Sequence, residues 1–108
     1  DNLKDEAFKA KMAKFVRASM KGWKYAEENP DEAAMIVLDN DETGAQTEAH
    51  QKRMMSEIAK LTAGSNGALD PADFDRTVAI LMAGGSDPVI SAKPEGAWTH
   101  EISDAALN

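Results

Sequence analysis

The segment Asp39-Asn40-Asp41-Glu42-Thr43-Gly44 carries the residue types that wrap a calcium ion, with oxygen ligands at alternate positions and glycine at the sixth. An EF-hand loop closes on a bidentate carboxylate at its twelfth position, and here that position is His50. The flanking sequence also lacks the helix pairing of an EF-hand. The segment therefore reads as an Asx-rich loop that ends one helix before the next begins. His50 and His100 are the only histidines, stand at neither metal-ligand nor triad spacing, and read as partly exposed structural residues. None of Ser19, Ser56, Ser65, Ser86, Ser91 and Ser103 sits in a nucleophile elbow, and no G-x-x-x-x-G-K-[ST] phosphate loop occurs. Carboxylate pairs such as Glu27-Glu28 arise by chance in a chain with 19 acids, and nothing in the sequence separates their pKa values. The chain has no cysteine, hence no thiolate ligand, thiol nucleophile or disulfide. The residues thus point to no catalytic group, no metal ligand and no cofactor, and to a protein that is not an enzyme.

The aromatic residues are the other candidates, because small-molecule clefts combine a few rings with a few directed polar groups. Trp23 falls on the apolar face of a helix and reads as core. Tyr25 lies two residues on, about 160° round the same helix, so the two rings cannot line one surface. Trp98 reads as a staple before a terminal helix or as a cap on a neighbouring element, with a pocket role as the alternative. Met54 and Met55 read as core filling rather than soft-metal ligands. No ligand-binding residue is identified.

The elements that must position these residues are helices. Over residues 4–28, Phe8, Met12, Phe15, Val16, Ser19, Trp23 and Ala26 recur at steps of three and four, the mark of one buried helix face. Gly22 costs about 1 kcal/mol in a helix interior, which suggests a close-packed neighbour over that turn, so that Gly22→Leu would overpack it. The opposite face carries Lys9, Lys11, Lys14, Arg17, Lys21 and Lys24 and reads as solvated. Asn29-Pro30-Asp31-Glu32 predicts a stop and an immediate restart, with Asn29 as cap and Glu32 reaching back. The second helix, 30–38, turns Ala33, Ala34, Val37 and Ile36 inward. A third, 47–62, buries Met54, Met55, Ile58 and Leu61, and Gly64-Ser65-Asn66-Gly67 ends it. Asp70, Pro71 and Asp73 start a fourth, with Leu69 stapled to Phe74 and with Phe74, Val78, Leu81 and Met82 on its core face. Gly84-Gly85 stops it. Residues 86–97, with Pro88 and Pro94, form an extended connector too proline-bound for a sheet, and Thr99 caps a last helix over 100–107. The expected fold is all-α, about five helices with short loops, as a single helical domain or fragment over 1–108.

Charge narrows the partners. Asp and Glu outnumber Lys and Arg 19 to 12, leaving a net charge of -7, which argues against nucleic acid as a partner. The longest apolar runs, 33–38 and 78–83, are far shorter than the roughly 20 residues that span a bilayer, so a soluble chain is expected. The first residue is Asp1, with neither Met nor a signal-peptide pattern, which fits a processed or excised piece.

The run Phe15-Val16-Arg17-Ala18-Ser19-Met20-Lys21-Gly22-Trp23-Lys24-Tyr25-Ala26-Glu27-Glu28-Asn29-Pro30-Asp31-Glu32-Ala33 follows the pattern F-x-R-A-x-x-x-G-W-x-x-A-x-x-N-P-x-E-A. In this it resembles the NMT1/THI5-like periplasmic substrate-binding proteins, which include those for thiamine-pyrimidine precursors and are related to those for sulfonates and nitrate. Gln51 in a long helix, the turn over 67–70 and Gly96-Ala97-Trp98-Thr99 are similar to that group as well, so the resemblance covers nearly the whole chain. It implies the helical C-terminal part of a two-lobed type II periplasmic binding fold, with hinge closure on a ligand. It further implies a periplasmic location, a small-molecule ligand bound through the full-length parent, and an ABC permease as partner. The cleft in that group is built chiefly from strand ends and loops earlier in the chain, so no ligand contact is carried over to these residues. Helices made to cover a sheet expose an apolar face without it, which implies a homodimer or exchanged helices for the chain by itself. The alternative is a helical interaction or regulatory module, such as a receptor-like sensor part of a signalling protein.

Overall fold

A computed structural model describes residues 1–107. After a 3-10 turn at Asn2–Lys4, five helices follow: α1 Glu6–Glu28, α2 Pro30–Asp39, α3 Glu48–Thr62, α4 Pro71–Met82 and α5 Glu101–Leu107. No strand occurs among the described residues. The chain is all-helical, as its periodicity predicts. Side-chain caps set most of the helix starts. Asp5 accepts from the amides of Ala7 and Phe8 at 2.9 and 3.3 Å, so α1 begins at Glu6 rather than at Lys4. Thr47 accepts from His50 at 3.3 Å, Asp70 from Ala72 at 2.8 Å and Thr99 from Glu101 at 3.3 Å. Thr99 therefore caps a helix whose first residue is Glu101, with His100 just outside it.

The corner between α1 and α2 differs from its sequence signature. Asn29 gives α2 no side-chain cap; its amide instead donates to Tyr25 O at 3.1 Å and closes the C-terminus of α1. Pro30 at the start of α2 has no N–H to satisfy, so the demand for a cap there is smaller than the demand of the free carbonyls behind it. Glu32 does not reach back to Asn29; its carboxylate lies beside the Tyr25 phenol and raises the phenol's pKa above 10.0.

Packing is close only where side chains are small. Ala13, Ala33, Ala34, Val78 and Ala106 are the buried residues among those described. Helices α2 and α3 pair, α1 and α5 pair, and α1 makes fewer contacts with α2 and α3. Arg17 secures the second pair: its Nε donates to Ala106 O at 3.0 Å and its Nη2 to Ala105 O at 2.9 Å. A guanidinium on the last carbonyls of α5 satisfies acceptors that have no helical partner and lies at the negative end of the helix dipole. Lys9 stands between Glu6 at 2.6 Å and Glu101 at 3.7 Å, and the Glu6 carboxylate foremost raises its pKa. These two members of the basic stripe thus tie α1 to α5, a correction to the solvated reading, whereas Lys11, Lys14 and Lys21 are exposed.

Helix α4 has no Cα within 8 Å of another helix. It is held by the connector after it and by the turn before it. Val89 N donates to Leu81 O at 3.1 Å, and Gly85 turns the chain there with φ of +67°. At Gly67, with φ of +83°, an added Cβ would lie 2.5 Å from Met20 Sδ, so α1 packs directly on the backbone of that turn. Leu69 remains exposed; the ring lying against Phe74 is that of Trp98.

The remaining large apolar residues are not enclosed. Leu61 is 80% exposed, Phe15 65%, Ile36 49%, Val37 48% and Trp23 46%, and Met54 and Met82 are exposed as well. All seven were expected to face a core. Helical spacing selects the residues that share a face, but something must lie over that face to bury it, and no segment of the described chain does. Gly22 is corrected for the same reason: an added Cβ meets nothing within 4 Å, so no neighbour packs over that turn. The accessible surface of 8182 Å2 exceeds by about 2,300 Å2 the roughly 5,800 Å2 of a compact monomer of 11.6 kDa. The radius of gyration, 17.9 Å, likewise exceeds the roughly 13 Å of a compact domain of this length.

Arg17→Gln removes the charged clamp while keeping a similar stem. The expected cost is about 1–2 kcal/mol at α5, given two charge-assisted bonds in partly solvated surroundings. Amide hydrogen exchange checks it: protection should fall in residues 104–107 and stay unchanged in α3.

Candidate functional site

The sequence offers a loop, two histidines and three large aromatic rings, and the structure puts them in separate places. In the loop after α2, Asp41 holds its own surroundings together. Its Oδ1 accepts from Thr43 N at 3.0 Å and from Thr43 Oγ1 at 2.5 Å, while Oδ2 accepts from Gln46 N at 2.9 Å. The Thr43 hydroxyl foremost, then the Gln46 amide, holds the Asp41 carboxyl below its ordinary 3.8. Both oxygens are engaged by protein donors, so this carboxylate orders an Asx-type loop. The described residues contain no group of three or more His, Cys, Asp and Glu placed to hold a metal ion.

His100 and Trp98 do meet. The rings lie 4.8 Å apart at 44°, and Trp98 stands edge-on to Phe74 with centroids 6.2 Å apart and planes at 65°. His100 Nε2 is 2.8 Å from Leu69 O, which fixes its proton on Nε2, since a carbonyl only accepts. His100 is thereby a latch between the start of α5 and the start of α4. Beside it, Pro71, Phe74, Pro94 and Trp98 wall an open groove of about 570 Å3. Its charged pair is Lys93 with Asp75, 2.6 Å apart and both exposed. Trp98 thus lies against Phe74 of α4, as the cap reading has it, and also walls the groove, which was its alternative place. The groove presents no acid, base and nucleophile in mutual reach, and His50 lies exposed on α3, far along the chain from this latch.

Trp23 lies on a different surface. It lines two grooves, one of about 330 Å3 together with Ser19, Gly22, Ala26, Ala33, Val37 and Met55, the other of about 180 Å3 together with Ala34, Val37, Gln51, Met54, Met55 and Ile58. No lining residue of either groove carries a charge, in a chain in which 29% of residues are charged. This uncharged surface across α1, α2 and α3 is the candidate functional site. The helical spacing located Trp23, Met54 and Met55 on apolar faces but assigned them to a core. Gly22 was the available signal for the site: a glycine inside a well-patterned helix marks the groove floor. Tyr25 points elsewhere, towards Glu32, as its offset from Trp23 requires.

Among the described residues, no helix is long and apolar enough to cross a membrane. Comparison with known protein families, curated proteins and solved structures finds no match.

The Asp41 loop gives a pH test. A carboxyl held below its ordinary value contributes stability that is present above pH 4 and lost as pH falls through its folded pKa, here below 3.8. Amide signals of Thr43 and Gln46, followed by NMR during acidification, should shift together with a midpoint under 3.8. In Asp41→Asn that common transition should vanish.

Proposed function

We propose that this chain is a non-catalytic segment of a periplasmic solute-binding protein, the helical C-terminal part of a type II binding fold. In this role α1, α2 and α3 cover a lobe sheet and help form the surface offered to an ABC permease. One observation supports it above the rest. The run over 15–33, which carries the resemblance to the NMT1/THI5-like group, coincides with the helix–corner–helix unit that leaves Phe15, Trp23 and the Gly22 turn uncovered. Helices with such a face need a second layer, and an apolar sheet is the layer that a two-layer lobe supplies. Arg17, a fixed position of that run, binds α5, so the run and the terminal helix act as one unit. The ligand of the parent is a small molecule such as a pyrimidine precursor of thiamine or a sulfonate.

Thermal-shift measurements on the full-length parent test the ligand class. A true ligand at 100 times its Kd stabilises the folded state by about 2.7 kcal/mol, a rise of several degrees. Pyrimidines or sulfonates should produce that rise. If neither class moves the melting temperature, the transport assignment fails.

A further inference from the structure

Charge in this chain is segregated by position. Residues 7–26 hold six cations and no acid, a net +6, while the other residues hold six cations and all 19 acids, a net -13. Most of the cations are engaged. Arg17 binds the last carbonyls of α5, and every other lysine and arginine except Lys11, Lys14 and Lys21 lies within 4.0 Å of a carboxylate. Those three are exposed, and among the described residues none has a carboxylate within that distance. They fall within about 80° of one another round α1 and point about 120–180° away from Trp23. A layer laid over the Trp23 face therefore leaves them in solvent.

We propose that this lysine face docks an acidic segment of another protein, about 15 Å long, which is roughly five extended or ten helical residues. Three unpaired like charges on one rigid helix favour a counter-charge and repel a cation, so the occupant is anionic. Length selects among anions. From Lys11 to Lys21 the helix rises about 15 Å, and acids bound that stretch at both ends: Asp5 and Glu6 before it, Glu27, Glu28 and Asp31 after it. A membrane surface or a nucleic-acid duplex laid along α1 extends past the lysines and brings its phosphates against those acids. A segment of matching length meets the lysines alone, and charges farther off than the Debye length of about 8 Å are largely screened from it. The lysine face and the surface given to a lobe sheet lie on opposite sides of α1, so occupation of one leaves the other free.

Pentaglutamate, blocked at both ends and about 17 Å long when extended, is the probe. Titrated into the isotope-labelled chain at low salt, it should shift the NMR signals of residues 11–21, leave those of α3 in place, and lose its effect at about 0.5 M salt. The triple variant Lys11→Gln, Lys14→Gln, Lys21→Gln should bind about tenfold more weakly with unchanged helical circular dichroism, since all three side chains are exposed. The matched variant Lys52→Gln, Lys60→Gln, Lys93→Gln alters net charge equally and should bind within about twofold of the wild type. Absence of saturable shifts at millimolar pentaglutamate overturns the proposal. So does an equal loss in both variants, because net charge then acts without a site. Displacement of pentaglutamate by phosphatidylserine vesicles or duplex DNA at a lower concentration of anionic charge overturns it too, the occupant then being a lipid surface or a nucleic acid. None of these results bears on the ligand response of the parent, which stands or falls separately.

Discussion

Close approach between helices in this chain depends on methyl groups. Ala13 and Ala106 let α1 and α5 come together, and Ala33 and Ala34 do the same for α2 beside its neighbours. Each alanine hides little apolar area, so contacts of this kind fix geometry more than they stabilise it. A self-sufficient domain adds large aliphatic and aromatic side chains to such contacts. Here no large side chain is fully buried among the described residues. The open surface and the large radius of gyration follow from that shortage.

Polar contacts do part of the joining that a core would otherwise do. Arg17 on the last carbonyls of α5, Lys9 between Glu6 and Glu101, and His100 on the Leu69 carbonyl each connect segments distant in sequence. Thr62 reaches Glu27 in the same way, its hydroxyl 2.6 Å from the carboxylate, and so joins the ends of α1 and α3. These bonds lie in partly solvated positions, where net contributions are small. They help set which helix meets which. The residues best suited to chemistry by type are thereby committed to structure: Asp41 to its loop and His100 to its latch.

The helices themselves were legible from caps and periodicity. Asp70 with Pro71, Thr47 and Thr99 start helices where local rules place them, whereas α4 already stops at Met82 with Ala83 as its cap, and left-handed Gly85 turns the chain two residues further on. Such signals are legible because a cap bonds to an amide two or three residues away and needs nothing else. The Asp39–Gly44 segment was readable for the same reason, since Asp41 finds its donors at Thr43 and Gln46 within the loop. Asn29 shows the limit of local reading: two helix ends compete for one side chain, and the sequence does not rank them.

Sequence by itself determined the helical class, the approximate extent of each helix, and the apolar faces to which Trp23, Val37, Met54 and Leu61 belong. Tertiary structure decided whether those faces are covered, and for these four residues they are not. It also decided that Arg17 and Lys9, indistinguishable by spacing from Lys11 and Lys14, bind α5. The physical reason is the range of the forces. Capping and helical periodicity act within one or two turns of chain, whereas burial is a relation between a surface and whatever lies across from it.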